Sequence, residues 1–117
     1  MTTFATGRQA EAVAAEYLRG HGFKVVEQNY RTRWCEIDIV AQHGDVIVFV
    51  EVKYRSHNTQ GSGLDYITPS KLRQMRYAAE HWASEKGWDK AIRLGAIEVG
   101  APDYRVLEFI DDIALDA

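Results

Sequence analysis

The spacing of hydrophobic and polar positions changes several times along the chain, and each change marks an element. Ala10, Val13, Ala14, Tyr17 and Leu18 recur at helical spacing behind Thr6 and Gln9, whose separation resembles a capping box, and Gly20 and Gly22 end the pattern. An amphipathic helix is therefore predicted first. FKVVEQNY then alternates as a strand does, and EIDIVA and VIVFVEVK follow, with His43-Gly44 between them as a hairpin turn. The polar stretch YRSHNTQGSGLDYIT, with Gly61 and Gly63, is about as long as an ordered connection becomes, so it is either mobile or functional. Thr68 and Pro69 suit the N-cap and first position of a second helix, whose apolar residues Leu72, Met75, Ala79 and Trp82 keep the helical period up to Gly87. AIRLGAIEV and YRVLEFI close the chain as two strands joined through GAPD. The order αβββαββ predicts an α/β fold: one domain, residues 1–117, with a mixed sheet flanked by helices.

The predicted hairpin carries acids where a covered strand would carry apolar side chains. With a His43-Gly44 turn, residue i faces residue 87 − i, which sets Asp38 opposite Phe49 and Glu36 opposite Glu51. Side chains two apart share a face, so Asp38, Glu51 and Lys53 emerge together, with Glu36 among them, while Ile37, Ile39, Val48, Val50 and Val52 fill the other face. One reading makes these residues a solvent-facing edge in which Lys53 forms a surface ion pair worth about 0–1 kcal/mol. The other starts from the apolar character of both faces around Glu51, which implies cover. Two carboxylates brought together under cover cost several kcal/mol per ion unless a proton or a cation settles the charge. Oxygen donors without cysteine or paired histidine suit Mg²⁺ or Mn²⁺, and a cation with an ammonium beside it is what phosphodiester hydrolysis uses.

Composition changes this picture little, but charge distribution changes it more. A 46% hydrophobic and 26% charged chain is an ordinary globular protein, and its single cysteine forms no internal disulfide. The N-terminus has neither a secretory signal nor a membrane span, so a cytoplasmic protein without a membrane partner is expected. The net charge of −3 speaks against a basic coat, yet six acids and only Arg105 lie from Glu98 onward, which makes an acidic C-terminal tail. Between Lys53 and Arg76 the bases Lys53, Arg55, Lys71, Arg73 and Arg76 face only Asp65, a local patch fit for phosphates. Cys35 has no base near it in sequence and reads as structural; His21, His43, His57 and His81 lack metal-binding spacing. Of the tryptophans, Trp82 fits the core stripe, and Trp34, beside Arg31 and Arg33, is the one suited to stacking on a base.

Asp38 followed by Glu51-Val52-Lys53 resembles the motif of the PD-(D/E)XK nuclease superfamily. Together with GRQAEAVAAEYL, NYRTRWCEIDIVA, VFVEVKYR and Thr68-Pro69-Ser70-Lys71, in that order, it makes residues 7 to 99 similar to the bacterial YraN family of Holliday-junction-resolvase-like proteins. The resemblance implies a restriction-endonuclease-like fold and a Mg²⁺-dependent endonuclease acting on DNA, with branched DNA such as Holliday junctions among its substrates. It implies that Asp38 and Glu51 bind metal, that Lys53 is the catalytic lysine and that Glu11 completes the acidic set. Arg55, Lys71, Arg73 and Arg76 are the expected phosphate contacts, Lys71 at a helix N-terminus. A symmetric junction needs two cuts, which implies a homodimer. The sequence departs from the family pattern at Ala10, Cys35 and Gly95, the last standing where an aspartate is common. Two other classes remain open: a nucleic-acid-binding module that does not cut, and a small interaction domain that docks a partner through the acidic tail.

Overall fold

A computed structural model describes residues 3–56 and 66–113, with side chains from residue 7 onward. Local signals explain the sharpest boundaries. The side chain of Thr68 accepts the backbone N–H of Lys71, Pro69 follows it, and Gly87 ends the helix in the left-handed region at φ 66°, where glycine carries no Cβ penalty. These fix α2 at Pro69–Lys86. The other elements are α1 (Thr3–Gly20), β1 (Lys24–Arg31), β2 (Glu36–His43), β3 (Val46–Arg55), β4 (Ala91–Gly100) and β5 (Arg105–Ile110), in the predicted order αβββαββ. Helix α1 begins ahead of the expected cap, because no glycine or proline stops it between Thr3 and Thr6. His57, Gly61, Gly63, Asp65 and Asp116 lie outside the described residues.

The five strands form one sheet in the order β1-β2-β3-β4-β5. Only β3 and β4 run parallel, as the crossover through α2 requires. Each face has its own core. Ala10, Ala14, Ala15 and Leu18 of α1 bury against Ile39, Ala41, Val48, Val50, Ile97 and Val99. Leu72, Met75, Ala78, Ala79 and Trp82 of α2 bury against Val40, Ile47, Phe49 and Leu94 on the opposite face. Trp82 meets Phe49 edge to face, its ring centroid 5.6 Å away, and its Nε1–H donates to Glu27 at 3.1 Å. Tyr30 Oη–H donates to Glu85 at 2.8 Å, so two polar ties hold α2 to β1 and thereby set where Lys71 stands. No helix among the described residues is long and apolar enough to cross a membrane.

The hairpin differs from its expected register. Its turn is Gly44-Asp45, so His43 faces Val46 and Val40, not Asp38, faces Phe49. Gly44 takes φ 60°, which a tight two-residue turn needs and which glycine supplies without strain. The displacement is two residues, and with a period of two the faces are preserved. Ile37 is an exception: it packs in the α2-side core with its β1 partner Tyr30, not with Ile39. Glu36 pairs with Arg31 across the β1–β2 ladder instead of facing Glu51. Both changes follow from β2 parting from β3, since the ladder between them ends at Ile39↔Val50 while each strand continues against its other neighbour.

Gly95 has a steric cause. A Cβ there would stand 2.7 Å from the carbonyl oxygen of Ile110 and 2.9 Å from Val48 Cγ1, on the α1 side of the sheet and away from the carboxylates. An aspartate could not be accommodated, and its absence takes nothing from the acidic face. Gly95→Ala should therefore destabilise the fold by about 1–3 kcal/mol, the range for overpacking a tight core. Urea denaturation checks this through a lower midpoint at unchanged slope.

Candidate metal and phosphodiester site

The site begins where the β2–β3 ladder stops. Beyond Ile39↔Val50 the backbone N–H of Val52 has no β2 carbonyl in register, and Asp38 Oδ2 accepts it instead at 2.7 Å. A side chain thus replaces a backbone acceptor at the fork of the sheet, which satisfies a donor that would otherwise be buried unpaired. This bond fixes Asp38. Its other contact is Glu51, and the two carboxyls share a hydrogen bond.

Burial first, and then the hydrogen bond and charge of Glu51, push the Asp38 carboxyl up to about 8 from an ordinary 3.8, while the Val52 N–H pulls the other way. At neutral pH Asp38 therefore keeps its proton and donates it to Glu51. Glu51 in turn accepts Lys71 Nζ at 3.1 Å, with side chains 29% and 16% exposed for lysine and glutamate. Lys71 is pulled down by its own burial, but the charge and hydrogen bond of Glu51 outweigh that and raise it overall. The resting arrangement is one proton and one ammonium on two carboxylates.

Lys53 shares the strand face of Glu51, two residues on, and is exposed. It forms no ion pair with an acid among the described residues; its Nζ stands 5.5 Å over the ring of Tyr66. The surface ion pair considered from sequence is thus made by Lys71, not by Lys53. Glu11 reaches toward the same fork from α1. Its carboxyl is raised mainly by burial and then by Glu36 and Glu51, is opposed by a hydrogen bond from Asn29, and itself adds to the charge felt by Asp38. Among the described residues no group of three or more His, Cys, Asp or Glu is spaced to hold a metal ion, and Glu11 acts on Asp38 through its charge.

The expected phosphate contacts differ in how they are engaged. Arg55 is largely buried against Glu98, and Lys71 is engaged with Glu51. Arg73 is exposed on α2; Arg76 pairs with Glu80 and lines a cavity of about 390 Å³ toward Arg93, Leu94 and Asp112.

Three residues gain a place here that their sequence context did not give them. Asn29 adopts φ 55°, a left-handed conformation in mid-strand that asparagine tolerates better than most residues, and it supplies the hydrogen bond to Glu11. Tyr66 has a buried hydroxyl without a hydrogen-bond partner among the described residues, close enough to Glu51, Glu98 and Asp38 for their charges to raise it further after burial. The Cys35 thiol is raised by burial; Lys71 lowers it, and Glu51 and Asp38 raise it, which keeps it protonated and a poor nucleophile. Only asparagine's tolerance of positive φ was a signal available beforehand.

The shift at Asp38 predicts a pH dependence. The unfolded carboxyl titrates near 3.8 and the folded one near 8, so between these values the folded chain holds a proton that the unfolded chain has lost. Stability from this group is complete below the lower value and is lost as pH rises through the upper one, at up to ~1.4 kcal/mol per pH unit. Asp38→Asn mimics the protonated acid, so in metal-free buffer it should flatten this slope and exceed wild type in stability at pH 8. Chemical denaturation at intervals from pH 5 to 8 measures both slopes; parallel slopes would show that Asp38 is ionised in the fold.

Residues 10–99 match the model of "Uncharacterised protein family UPF0102". A UPF0102 protein from Chlorobium chlorochromatii is 42% identical over 98 residues, covering 84% of this chain and 76% of that protein. One from Anaeromyxobacter dehalogenans is 41% identical over 108 residues, or 90% and 81% of the two chains. Another, from Methylococcus capsulatus, is 42% identical over 94 residues, or 80% and 76%. The stretch matched by the family model holds Glu11, Asn29, Asp38, Glu51, Lys53, Tyr66 and Lys71 together, and the chain belongs to the UPF0102 family.

Proposed function

We propose that the protein is a Mg²⁺- or Mn²⁺-dependent endonuclease that hydrolyses phosphodiesters of DNA, with branched DNA as the substrate class. The observation that carries this reading is the meeting of Asp38 and Glu51 at the sheet fork with Lys53 on the same strand face as Glu51. Two half-buried carboxyls, one of them raised by the other, have the chemistry of a divalent-cation site. Two protein carboxylates suit Mg²⁺, which keeps several waters and completes its shell with substrate phosphate oxygens, and the all-oxygen set disfavours zinc. Bound there, the ion would polarise a phosphoryl oxygen and make a water easier to deprotonate.

The chain's own groups divide the remaining work. Asp38 and Glu51 would hold the ion, Asp38 giving up its proton as it does so. Lys71, released from Glu51, would be free to take a phosphate at the first turn of α2, where backbone N–H groups also favour anions. Lys53 pairs with no described acid, so its ammonium is available to orient the attacking water or to stabilise charge on the phosphorane-like transition state. The unpartnered hydroxyl of Tyr66 supplies a donor for an oxygen of the ligand. A symmetric junction requires two cuts, which a homodimer would deliver as a pair.

Incubation with junction, flap, single-stranded and duplex DNA, with Mg²⁺, Mn²⁺ or chelator, tests the reading; no cutting of any substrate with either metal would refute it. Lys53→Ala should keep metal affinity within about two-fold while turnover falls by about 10²- to 10⁴-fold. Asp38→Ala and Glu51→Ala should lose both. Wild-type turnover in Lys53→Ala would leave the lysine without a catalytic role.

A further inference from the structure

We propose that the loop between β1 and β2, together with one face of α2, forms a pocket for an unpaired nucleobase beside the carboxylate site. Trp34 stands at its centre. Its ring centroid lies 6.0 Å from that of Tyr77 and 5.7 Å from that of His81, the latter approached edge-on. Beside Trp34 and His81 opens a cavity of about 370 Å³ lined by Thr32, Arg33, Trp34 and His81, with room for a single base. Tyr77, one turn before His81 on α2, is 48% exposed, one of the few large hydrophobic side chains so placed among the described residues.

Three features favour a base as the occupant. The first is preorganisation. Thr32 Oγ1 accepts the N–H groups of Trp34 and Cys35, each at 3.1 Å, and donates to the Cys35 carbonyl at 2.8 Å, while Thr32 N–H donates to that same carbonyl at 3.0 Å. The loop that presents Trp34 is therefore braced before any ligand arrives, and little entropy is lost on stacking. The second is charge. The Arg33 guanidinium lies 4.8 Å over the Trp34 ring, where it can follow the ring face or turn to the phosphate of a stacked nucleotide, and Arg31 is exposed beside it. Aromatic faces interleaved with arginine are what single-stranded nucleic acid requires. The third is continuity with the carboxylates. Cys35 closes this loop, and its thiol feels Lys71, Glu51 and Asp38. The residue that follows Trp34 therefore stands within electrostatic reach of the carboxylates.

A base inside a duplex offers only its edges, so this pocket selects nucleic acid in which a base is already unstacked: a single strand, a flap or the open centre of a junction. The consequence for cleavage preference rests on the nuclease reading given above; the pocket itself does not.

The test measures binding without cleavage. A fluorescein-labelled oligo-dT and a labelled duplex of equal length are titrated with the full chain in chelator, while tryptophan fluorescence is followed. Wild type should bind the single strand with quenching. Trp34→Leu, which keeps an apolar filling, should lose about 10- to 100-fold in single-strand affinity together with most of the quenching, and change duplex affinity by less than two-fold. Arg33→Ala and His81→Ala, both at exposed positions, should weaken single-strand binding selectively and serve if Trp34→Leu fails to fold. Equal effects on both nucleic acids, no effect on either, or no single-strand binding by wild type would overturn the proposal. Single-strand binding that depends on Trp34 without cleavage in Mg²⁺ or Mn²⁺ would sink the nuclease reading and leave the pocket standing; metal-dependent cleavage indifferent to Trp34 would do the reverse.

Discussion

One hydrogen bond organises the functional half of this fold: the backbone N–H of Val52 donates to Asp38 Oδ2 at 2.7 Å where the β2–β3 ladder ends. A sheet that stopped pairing in its covered interior would leave a donor unsatisfied at a cost of about 1–3 kcal/mol. The Asp38 carboxyl removes that cost and is itself immobilised. Because the strands part there, a gap opens in the middle of the sheet, and Glu51 of β3, Glu11 of α1 and Lys71 of α2 reach toward the same place from three directions. The two helices lie on opposite faces, so only a fork lets both contribute.

The electrostatics follow from that crowding. Burial and Glu51 keep a proton on Asp38 at neutral pH, and the Lys71 ammonium pairs with Glu51. Both are displaceable, whereas the Arg55–Glu98 pair, with each side chain only 12% exposed, is a settled structural contact. A cation held at the fork, as proposed, would compete with occupants already present, and its affinity should rise with pH as the proton leaves. Lys53 stands apart from this exchange, with no ion pair to an acid among the described residues and its Nζ over the ring of Tyr66.

Much of this was legible in the sequence because it depends on period and local chemistry. Thr68-Pro69 and Gly87 bound α2 where their backbone preferences require, and alternation set Glu51 and Lys53 on one strand face even though the hairpin turn lies one residue further on, at Gly44-Asp45. What could not be read is long-range. Nothing local says that β2 and β3 separate after Ile39, so the return of Ile37 to the α2 side, the turning of Glu36 to Arg31 and the capture of Val52 by Asp38 stayed hidden. The ion pair of Glu51 with Lys71 stayed hidden for the same reason: Lys71 is twenty residues away and arrives only because Trp82 and Tyr30 tie α2 to β1. Nor did the run of bases between Lys53 and Arg76 show that Arg76 pairs with Glu80 and lines a cavity against β4.

The central claim is that the fork holds a proton that a divalent cation replaces. Isothermal titration calorimetry of Mn²⁺ into metal-free protein at pH 7, in buffers of different ionisation enthalpy, measures it directly. The account predicts release of close to one proton per ion bound in wild type, and none in an Asp38→Asn variant that still binds; Mn²⁺ uptake by wild type with no dependence on the buffer would contradict it.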